Sequence, residues 1–205
     1  MQFLVFQLQA PLASWGDVAV GQYRGSRDSP GAAALVGLIA AALGVRRDDE
    51  AAHAALRDGY AFAVGTIAAG DLLRDYHTAQ VPGRAELKGR PHRTRRDELR
   101  LPRHDLNTIL STRDYRQGGA WVVGVQPMAN APHDLTRLVQ ALREPRFALY
   151  LGRKSCPPAA PLAPQAVEAA SAHAAITEYL AACDQPAKLR AWRGPMVSSP
   201  ASPPT

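Results

Sequence analysis

The chain has 205 residues, 46% of them hydrophobic, so it can bury one substantial core but is too short for several large domains. Its net charge of +6 favours an anionic partner. Two cysteines are too few for a disulfide scaffold, and the N-terminus lacks the basic region of a secretory signal. The apolar residues 32–43 are too few to span a bilayer. We therefore expect a cytoplasmic protein with reduced thiols and no membrane partner.

The first half of the chain predicts alternating strands and helices. Residues 2–9 end in an apolar–polar alternation that predicts a strand, which Pro11 terminates. A helix is predicted over 31–43 and a second one over 48–58, with Asp48 as its N-cap. Strands over 60–68 and 72–81 follow, separated by a turn.

The second half continues the pattern after a basic segment. Strands are predicted over 108–116 and 120–126, with a turn at Gly118 and Gly119 between them. Asp134 is expected to cap a helix over 135–143. A last core strand over 147–151 and a further helix within 172–182 are predicted, and residues 186–205 have the composition of a disordered tail.

This order predicts an α+β fold of the ferredoxin-like β-α-β-β-α-β type, as one domain over residues 1–185. A basic β-hairpin would be inserted over about 72–116, between the second and third core strands. Two helices on one face of the sheet would leave the other face available. The same layout serves many RNA-binding modules, although a fold alone does not assign a function.

The basic segment, residues 84–104, carries eight Lys or Arg and three acidic residues. We expect it to project as a loop or hairpin and to bind a polyanion, because each cation can displace a counterion from a phosphate backbone. A solvated surface loop is the alternative. The candidate RNA ligands in this segment are Arg84, Lys88, Arg90, Arg93, Arg95, Arg96, Arg103 and His104.

Further candidates follow predicted strands. Arg153, Lys154 and Ser155 combine two cations and a hydroxyl, which suit a phosphate or a base, or merely pack a strand end. Ser14 and Trp15 follow the first strand. The Trp15 ring could stack on a base, or it could fill the core beneath the loop.

Two pairs of residues complete the candidate RNA site. Arg24 and Arg27 lie in a glycine-containing loop that could clamp phosphates or be simply solvated. Arg113 and Tyr115 alternate along a predicted strand and therefore share one face. An arginine and an aromatic ring on one sheet face favour an RNA platform, with an ordinary cross-strand pair as the alternative.

Catalytic and metal-binding motifs are weak. Gly16 and Gly21 have the spacing of a P-loop, but the Lys-Ser/Thr pair is missing. We expect no metal, no cofactor and no catalytic residue. A metal-independent ribonuclease remains the alternative, and its acid, base and oxyanion stabiliser would come from Tyr76, His77, Lys88, His92 and His104.

Four passages, in order, resemble one family: residues 8–16, 29–44, 110–115 and, most specifically, 149–162 with the sequence LYLGRKSCPPAAPL. They are similar to the CasD family, the subunit of type I-E CRISPR Cascade that caps the 5-prime end of the guide RNA. The similarity runs from residue 3 to about 185. Ala32 and Ala33 depart from a polar pair that is common in the family, which leaves only backbone N–H groups at that helix N-terminus.

The resemblance implies an RRM-like domain of the RAMP superfamily whose thumb lies over the guide and touches the backbone subunit. The body would grip the repeat-derived 5-prime handle of crRNA in an antiviral surveillance complex. Other implied partners are the large subunit and, through the complex, target DNA. In type I-E systems this subunit does not cut precursor RNA, whereas a related type I-C subunit does. A precursor-processing ribonuclease is therefore the second hypothesis, and an RNA-binding module unconnected with CRISPR is the third.

Overall fold

A mixed fold of sheets and helices is seen in the computed structural model, which describes residues 1–19, 21–91 and 93–182. The predicted tail at 186–205 lies outside these residues. The elements are β1 (Gln2–Ala13), β2 (Trp15–Gly16), β3 (Tyr23–Arg24), β4 (Ser26–Arg27), α1 (Ala32–Leu43), α2 (Glu50–Gly59), β5 (Tyr60–Ala68), β6 (Asp71–Pro82), α3 (Arg84–Leu87), α4 (Arg95–Glu98), a 3-10 turn (Arg103–Asp105), β7 (Leu106–Pro127), α5 (Leu135–Arg143), β8 (Gln165–Glu168) and α6 (Ala172–Ala182).

The main sheet is organised around β7, a strand of 22 residues. The C-terminal half of β7 lies between β5 and β1, and β1 pairs on its other edge with β8, all antiparallel. The N-terminal half of β7 pairs with β6 and, in parallel over two residues, with β3. Because β5 and β6 follow each other along one edge of β7, the three strands form a single long hairpin. Its outer part, residues 71–117, is called the arm below, and residues 83–105 are its tip.

The predicted turn at Gly118 and Gly119 is wrong, because β7 runs through both residues. Glycines here instead allow close approaches inside the sheet. A Cβ atom on Gly119 would lie 2.0 Å from the Trp121 ring. On the neighbouring edge, a Cβ atom on Gly70 would lie 2.6 Å from the Gln117 carbonyl oxygen. Glycine in a strand often marks such contacts rather than a reversal of the chain.

Both faces of the sheet are covered in the core. Alternate residues of β1, such as Leu4 and Phe6, pack with α1, α2 and α5 on one face. The intervening Phe3 and Val5 pack against α6 on the other face. The expectation that the second face stays available is therefore wrong for the core part of the sheet. The side chains of α6 that cover it are Ala175, Ile176 and Tyr179.

The helix boundaries agree with the sequence analysis except at one cap. Asp134 accepts a hydrogen bond from the Arg137 amide at 2.7 Å, as expected. The second helix is capped by Asp49, which accepts from the Ala52 amide at 3.0 Å, and not by Asp48. None of the helices in the described ranges has both the length and the apolar character needed to cross a membrane.

The predicted last core strand over 147–151 is wrong. That segment is irregular, and the place beside β1 is taken by β8. Leu151 is fully buried and its amide donates to the Cys156 carbonyl at 2.7 Å. This residue is therefore apolar because it anchors a turn in the core, and not because it lies in a strand. β8 has only Val167 buried, which is too weak a pattern to reveal a strand.

Candidate nucleic-acid interface

A buried carboxylate at the base of the arm joins three adjacent strands. Asp114 of β7 is 2% exposed. It accepts hydrogen bonds from Arg74 Nε and Nη2 of β6 at 2.9 and 3.1 Å. It also accepts from the Tyr23 hydroxyl of β3 at 2.5 Å. The carboxylate thus links the strands on either side of its own.

Electrostatics keep this network in a defined charge state. The Arg74 guanidinium, with the Tyr23 hydroxyl, holds the pKa of Asp114 below its usual range, although burial acts in the opposite direction. The hydrogen bond to Asp114 raises the pKa of Tyr23, and the same carboxylate raises the pKa of Arg74. At neutral pH the site therefore contains a charged Arg–Asp pair and a neutral phenol.

The backbone carbonyl of Asp114 binds side chains from two more segments. Its carbonyl oxygen accepts from the Ser14 hydroxyl at 3.1 Å and from Arg153 Nη1 at 3.2 Å. Arg153 Nη2 also donates to the Arg24 carbonyl at 3.2 Å, and the guanidinium lies 4.5 Å from the centre of the Tyr115 ring. Arg153 therefore connects the turn after α5 to β3 and β7.

The turn that carries Arg153 is tightly fitted. Gly152 has φ +86°, and a Cβ atom there would lie 1.7 Å from the Ser14 carbonyl oxygen. Beyond it, Lys154 and Ser155 are exposed. Cys156 is buried, and burial raises the pKa of its thiol, so it is a neutral packing residue at physiological pH.

Several predicted ligands converge on the base of the arm. Ser14, Arg24, Tyr115 and Arg153 meet around Asp114 through the hydrogen bonds and ring contact given above. Arg27 is nearby in β4 and forms an exposed ion pair with Asp17 at 3.3 Å. The structure thus brings together residues that are widely separated in sequence, although Arg24 takes part through its backbone carbonyl and its guanidinium donates to the Gly21 and Tyr23 carbonyls.

The cations of the tip form a second, separate group. Pro82 lies eight positions after Arg74 along β6, which is a length of about 27 Å. The tip contains the short helices α3 and α4, and Thr94 and Asp97 form a capping box at the start of α4. In the described part of the tip its candidate ligands are mostly exposed: Arg84, Lys88, Arg93, Arg95, Arg96, Arg103 and His104 are exposed and Arg90 is half-buried.

Two predicted RNA contacts are corrected by their burial. The Trp15 side chain is 3% exposed and packs edge-on against Trp121, with ring centres 5.0 Å apart, so it belongs to the core. Ser14 is 2% exposed and its hydroxyl points inward to Asp114. The predicted platform of Arg113 and Tyr115 is also altered. The Tyr115 ring is partly buried and lies under Arg153, and Arg113 Nε donates to the Ser111 hydroxyl at 3.2 Å.

Three residues at the base of the arm did not stand out in the sequence as binding residues. They are Tyr23, Arg74 and Asp114. Arg74 alternates with Tyr76 along β6, the same spacing that drew attention to Arg113 and Tyr115, so this pair was open to the same argument. The burial of Asp114 has no sequence signal, because its neighbours Arg113 and Tyr115 are polar or aromatic and only half-buried.

The candidate ribonuclease residues are not brought together. Tyr76 and His77 are neighbours on a strand and point to opposite faces. His104 lies within the tip, and Pro82 at the end of β6 is five positions beyond His77, a length of about 17 Å. His92 lies outside the described residues. Within the described ranges, no three His, Cys, Asp or Glu side chains are placed to hold a metal ion.

Comparison with known proteins gives a consistent result. A family model described as CRISPR-associated protein (Cas_Cas5) matches residues 3–199. The chain is 29% identical over 185 residues to the CRISPR system Cascade subunit CasD of Escherichia coli (strain K12), and the match covers 86% of this chain and 76% of that protein.

Two solved structures are also similar. A chain of a CRISPR RNA-guided surveillance complex matches with a TM-score of 0.57 and 27% identity. The match covers 78% of this chain and 61% of the chain in that complex. A structure titled as a crystal structure of a Cas protein matches with a TM-score of 0.53 and 29% identity, covering 84% of this chain and 68% of the other. Since the family model matches nearly the whole length, this chain belongs to the Cas_Cas5 family of CRISPR-associated proteins.

Proposed function

We propose that this chain is a non-catalytic crRNA-binding subunit of a type I-E CRISPR Cascade surveillance complex. It grips the 5-prime handle of the guide RNA with its body and contacts the backbone subunit with its arm. The observation that carries this proposal is the similarity to CasD over 185 residues, together with the family membership. The other Cascade subunits and, through the complex, target DNA are the implied partners.

The topology supports a ferredoxin-like core with an inserted thumb. The strand order β5-β7-β1-β8, with α1 and α2 after β1 and α5 after β7, matches a β-α-β-β-α-β arrangement. The arm would be the thumb, formed by extending the second and third core strands beyond the core.

The body site is proposed to lie at the base of the arm. Lys154 and Ser155 present a cation and a hydroxyl on a turn that is held by Gly152 and Arg153. Arg153 Nη2 donates to the Arg24 carbonyl, and Arg27 follows three residues later in the next short strand. A fixed frame of this kind suits recognition of a defined handle, because phosphate contacts set the register in which bases are read.

The tip is proposed to act mainly through charge. Its cations lie on or between short helices beyond Pro82, which is about 27 Å from Arg74 along β6, and exposed arginines attract any phosphate backbone. The tip should therefore strengthen binding without distinguishing RNA sequences. The residues of this group are Arg84, Lys88, Arg90, Arg93, Arg95, Arg96, Arg103 and His104.

The test measures the affinity of two variants of the full-length chain for two RNAs. One RNA carries the 5-prime repeat-derived handle, and the other carries a scrambled handle. Lys154→Ala should reduce the preference for the correct handle. The tip-arginine variant, with Arg93, Arg95 and Arg96 changed to Ala, should weaken binding of both RNAs. It should also lower the slope of log affinity against log salt by about 0.7 for each phosphate that the variant no longer neutralises.

The matched control removes three exposed arginines outside the arm, Arg46, Arg47 and Arg57. This control has the same change of net charge and should alter affinity much less. Equal effects of control and tip variant would mean that only net charge matters, and the assignment of the tip would then be wrong. Failure of the wild-type chain to retain handle RNA with the other Cascade subunits would refute the proposed function.

The alternative is a metal-independent ribonuclease that processes precursor crRNA. The separation of Tyr76, His77 and His104 along the arm favours the non-catalytic function, since an acid and a base must reach the same phosphodiester. Incubation of the purified chain with repeat RNA and chelator tests this directly. Site-specific cleavage that is lost in His77→Ala or His104→Ala would establish the enzyme instead.

A further inference from the structure

The face of the arm opposite Arg153 carries a second set of aromatic and cationic side chains. Tyr23 and Tyr76 are both paired with Thr112, one from each side of β7. Arg74 is paired with Asp114 in the next position on the same face. Directly paired residues point to the same face of a sheet, so Tyr23, Arg74 and Tyr76 form one surface across β3, β7 and β6.

These side chains are open to solvent. Tyr76 is 66% exposed and Tyr23 is 41% exposed. The Arg74 side chain is 56% exposed although its inner edge contacts Asp114. In the core, α6 covers the corresponding face of the sheet, whereas the described residues leave the side chains of this part of the arm exposed. Two partly exposed tyrosines beside an arginine form a surface suited to planar ligands.

Arg74 is held in position before any ligand arrives. Its Nε and Nη2 donate to Asp114, and Nη2 also lies 3.3 Å from the Tyr23 hydroxyl. Among the described residues, no hydrogen bond engages its Nη1, so two N–H donors remain at the exposed edge. A guanidinium fixed by a bidentate carboxylate loses little freedom when it binds a further acceptor.

The charge of the surface favours a nucleobase over a phosphate. The positive charge of Arg74 is balanced by the ionised Asp114 directly beneath it. The free Nη1 edge therefore offers hydrogen bonds with little net charge, which suits the acceptor atoms of a neutral base. Arg74 and Tyr76 are two residues apart on one strand, about 6.8 Å, so a base on the Tyr76 ring would bring its edge near the guanidinium.

We propose that Tyr76, Arg74 and Tyr23 form a nucleobase-binding platform for single-stranded RNA. A base stacks on the exposed Tyr76 ring, and its edge accepts a hydrogen bond from Arg74 Nη1. The Tyr23 backbone lies two strand spacings away, about 10 Å, but the Tyr23 ring leans toward Arg74, whose Cζ is 5.5 Å from the ring centre. Tyr23 therefore forms the wall of the platform beside the guanidinium. This inference rests on the proposed RNA-binding function and adds to it a site for bases that is distinct from the cationic tip.

The experiment measures binding of the full-length chain to two RNAs by fluorescence anisotropy. One is the handle-bearing RNA, and the other is the same RNA with abasic positions throughout the handle. Tyr76→Ala should weaken binding of the intact RNA by about 5- to 150-fold, the range found when the stacking of one base is removed. The same change should leave abasic RNA nearly unaffected and should not alter the salt slope, because no phosphate contact is removed.

Two further variants make the result specific. Tyr76→Phe keeps the ring and should retain the affinity of the wild type. Phe147→Ala removes an aromatic ring that is 45% exposed outside the arm, and it should have no effect. The platform is refuted if Tyr76→Ala binds intact RNA as tightly as the wild type, or if intact and abasic RNA lose affinity equally.

The outcomes also separate the platform from the function on which it rests. A wild-type chain that binds neither RNA would overturn both. A wild type that prefers intact RNA, with Tyr76→Ala unchanged, would overturn the platform alone. If Tyr76→Ala kept its RNA affinity but no longer assembled with the other Cascade subunits, this face would be a protein interface and the platform would be wrong.

Discussion

Replacing Asp114 by Asn tests whether the buried carboxylate holds the base of the arm together. The amide keeps the shape of the side chain but presents N–H donors where Arg74 and Tyr23 already donate. Hydrogen bonds to charged groups contribute about 1.5–3 kcal/mol each, but water can replace the partner of the half-exposed Arg74. We therefore expect a loss of about 2 kcal/mol in the free energy of unfolding, which is a fall of about 4–8 °C in Tm for a chain of this size.

The assay is unfolding followed by tryptophan fluorescence, for which the buried Trp15 and Trp121 are internal probes. Since Arg74 lowers the pKa of Asp114 in the folded state, the carboxylate stabilises the fold fully above its unfolded pKa of about 3.9. That contribution is lost as the pH falls through the lower folded pKa. The difference between wild type and Asp114→Asn should thus be constant from about pH 5 to 8 and disappear in acid.

Asp48→Asn is the control, because that carboxylate is 76% exposed in its ion pair with Arg46. It should change the free energy of unfolding by less than about 0.5 kcal/mol. The carboxylate does not hold the arm if Asp114→Asn changes the free energy of unfolding by less than about 0.5 kcal/mol. The same follows if the destabilisation persists unchanged at about pH 2, below the unfolded pKa.

Three other changes separate framework residues from RNA contacts. Gly152→Ala should lower both Tm and handle affinity, because its Cβ atom would overlap the Ser14 carbonyl oxygen, whereas Gly16→Ala has open space and should be tolerated. Trp15→Ala should destabilise the fold by about 3–5 kcal/mol in urea unfolding and leave the ratio of intact to abasic RNA affinity unchanged. Arg153→Lys should lose handle affinity as fully as Arg153→Ala, since lysine lacks the planar fork that spans the two carbonyl groups and stacks on Tyr115. Recovery by the lysine would instead identify a simple phosphate contact.

The regular elements of the core could be predicted because their patterns are local. The alternation in β1, the apolar length of α1 and the Asp134 cap of α5 are visible without knowledge of any partner strand. The cationic tip is equally local, since eight Lys or Arg within residues 84–104 cannot be buried. These features were sufficient to predict an α+β chain with a basic projection.

The errors arise where a residue acts through a distant contact. Gly118 and Gly119 resemble a turn, and only the nearby Trp121 ring reveals why a small residue is needed inside a strand. Trp15 is equally compatible with a loop or a core until Trp121 is placed against it. Arg153 has the appearance of a free cation, but its donors are used by backbone carbonyls, one of which is 129 residues away in sequence.

The continuity of β7 explains why the candidate site has two parts with different properties. The same strand passes from the buried core, through Asp114, to the tip, so the position of the arm's base is set by core packing. Residues farther along the arm are less buried and pack less against the core. The tip is stabilised by local caps such as the Thr94–Asp97 box. Geometry-dependent recognition therefore belongs at the base, where Arg74 and the Arg153 turn are fixed by hydrogen bonds. Charge-dependent attraction, which tolerates motion, belongs at the tip.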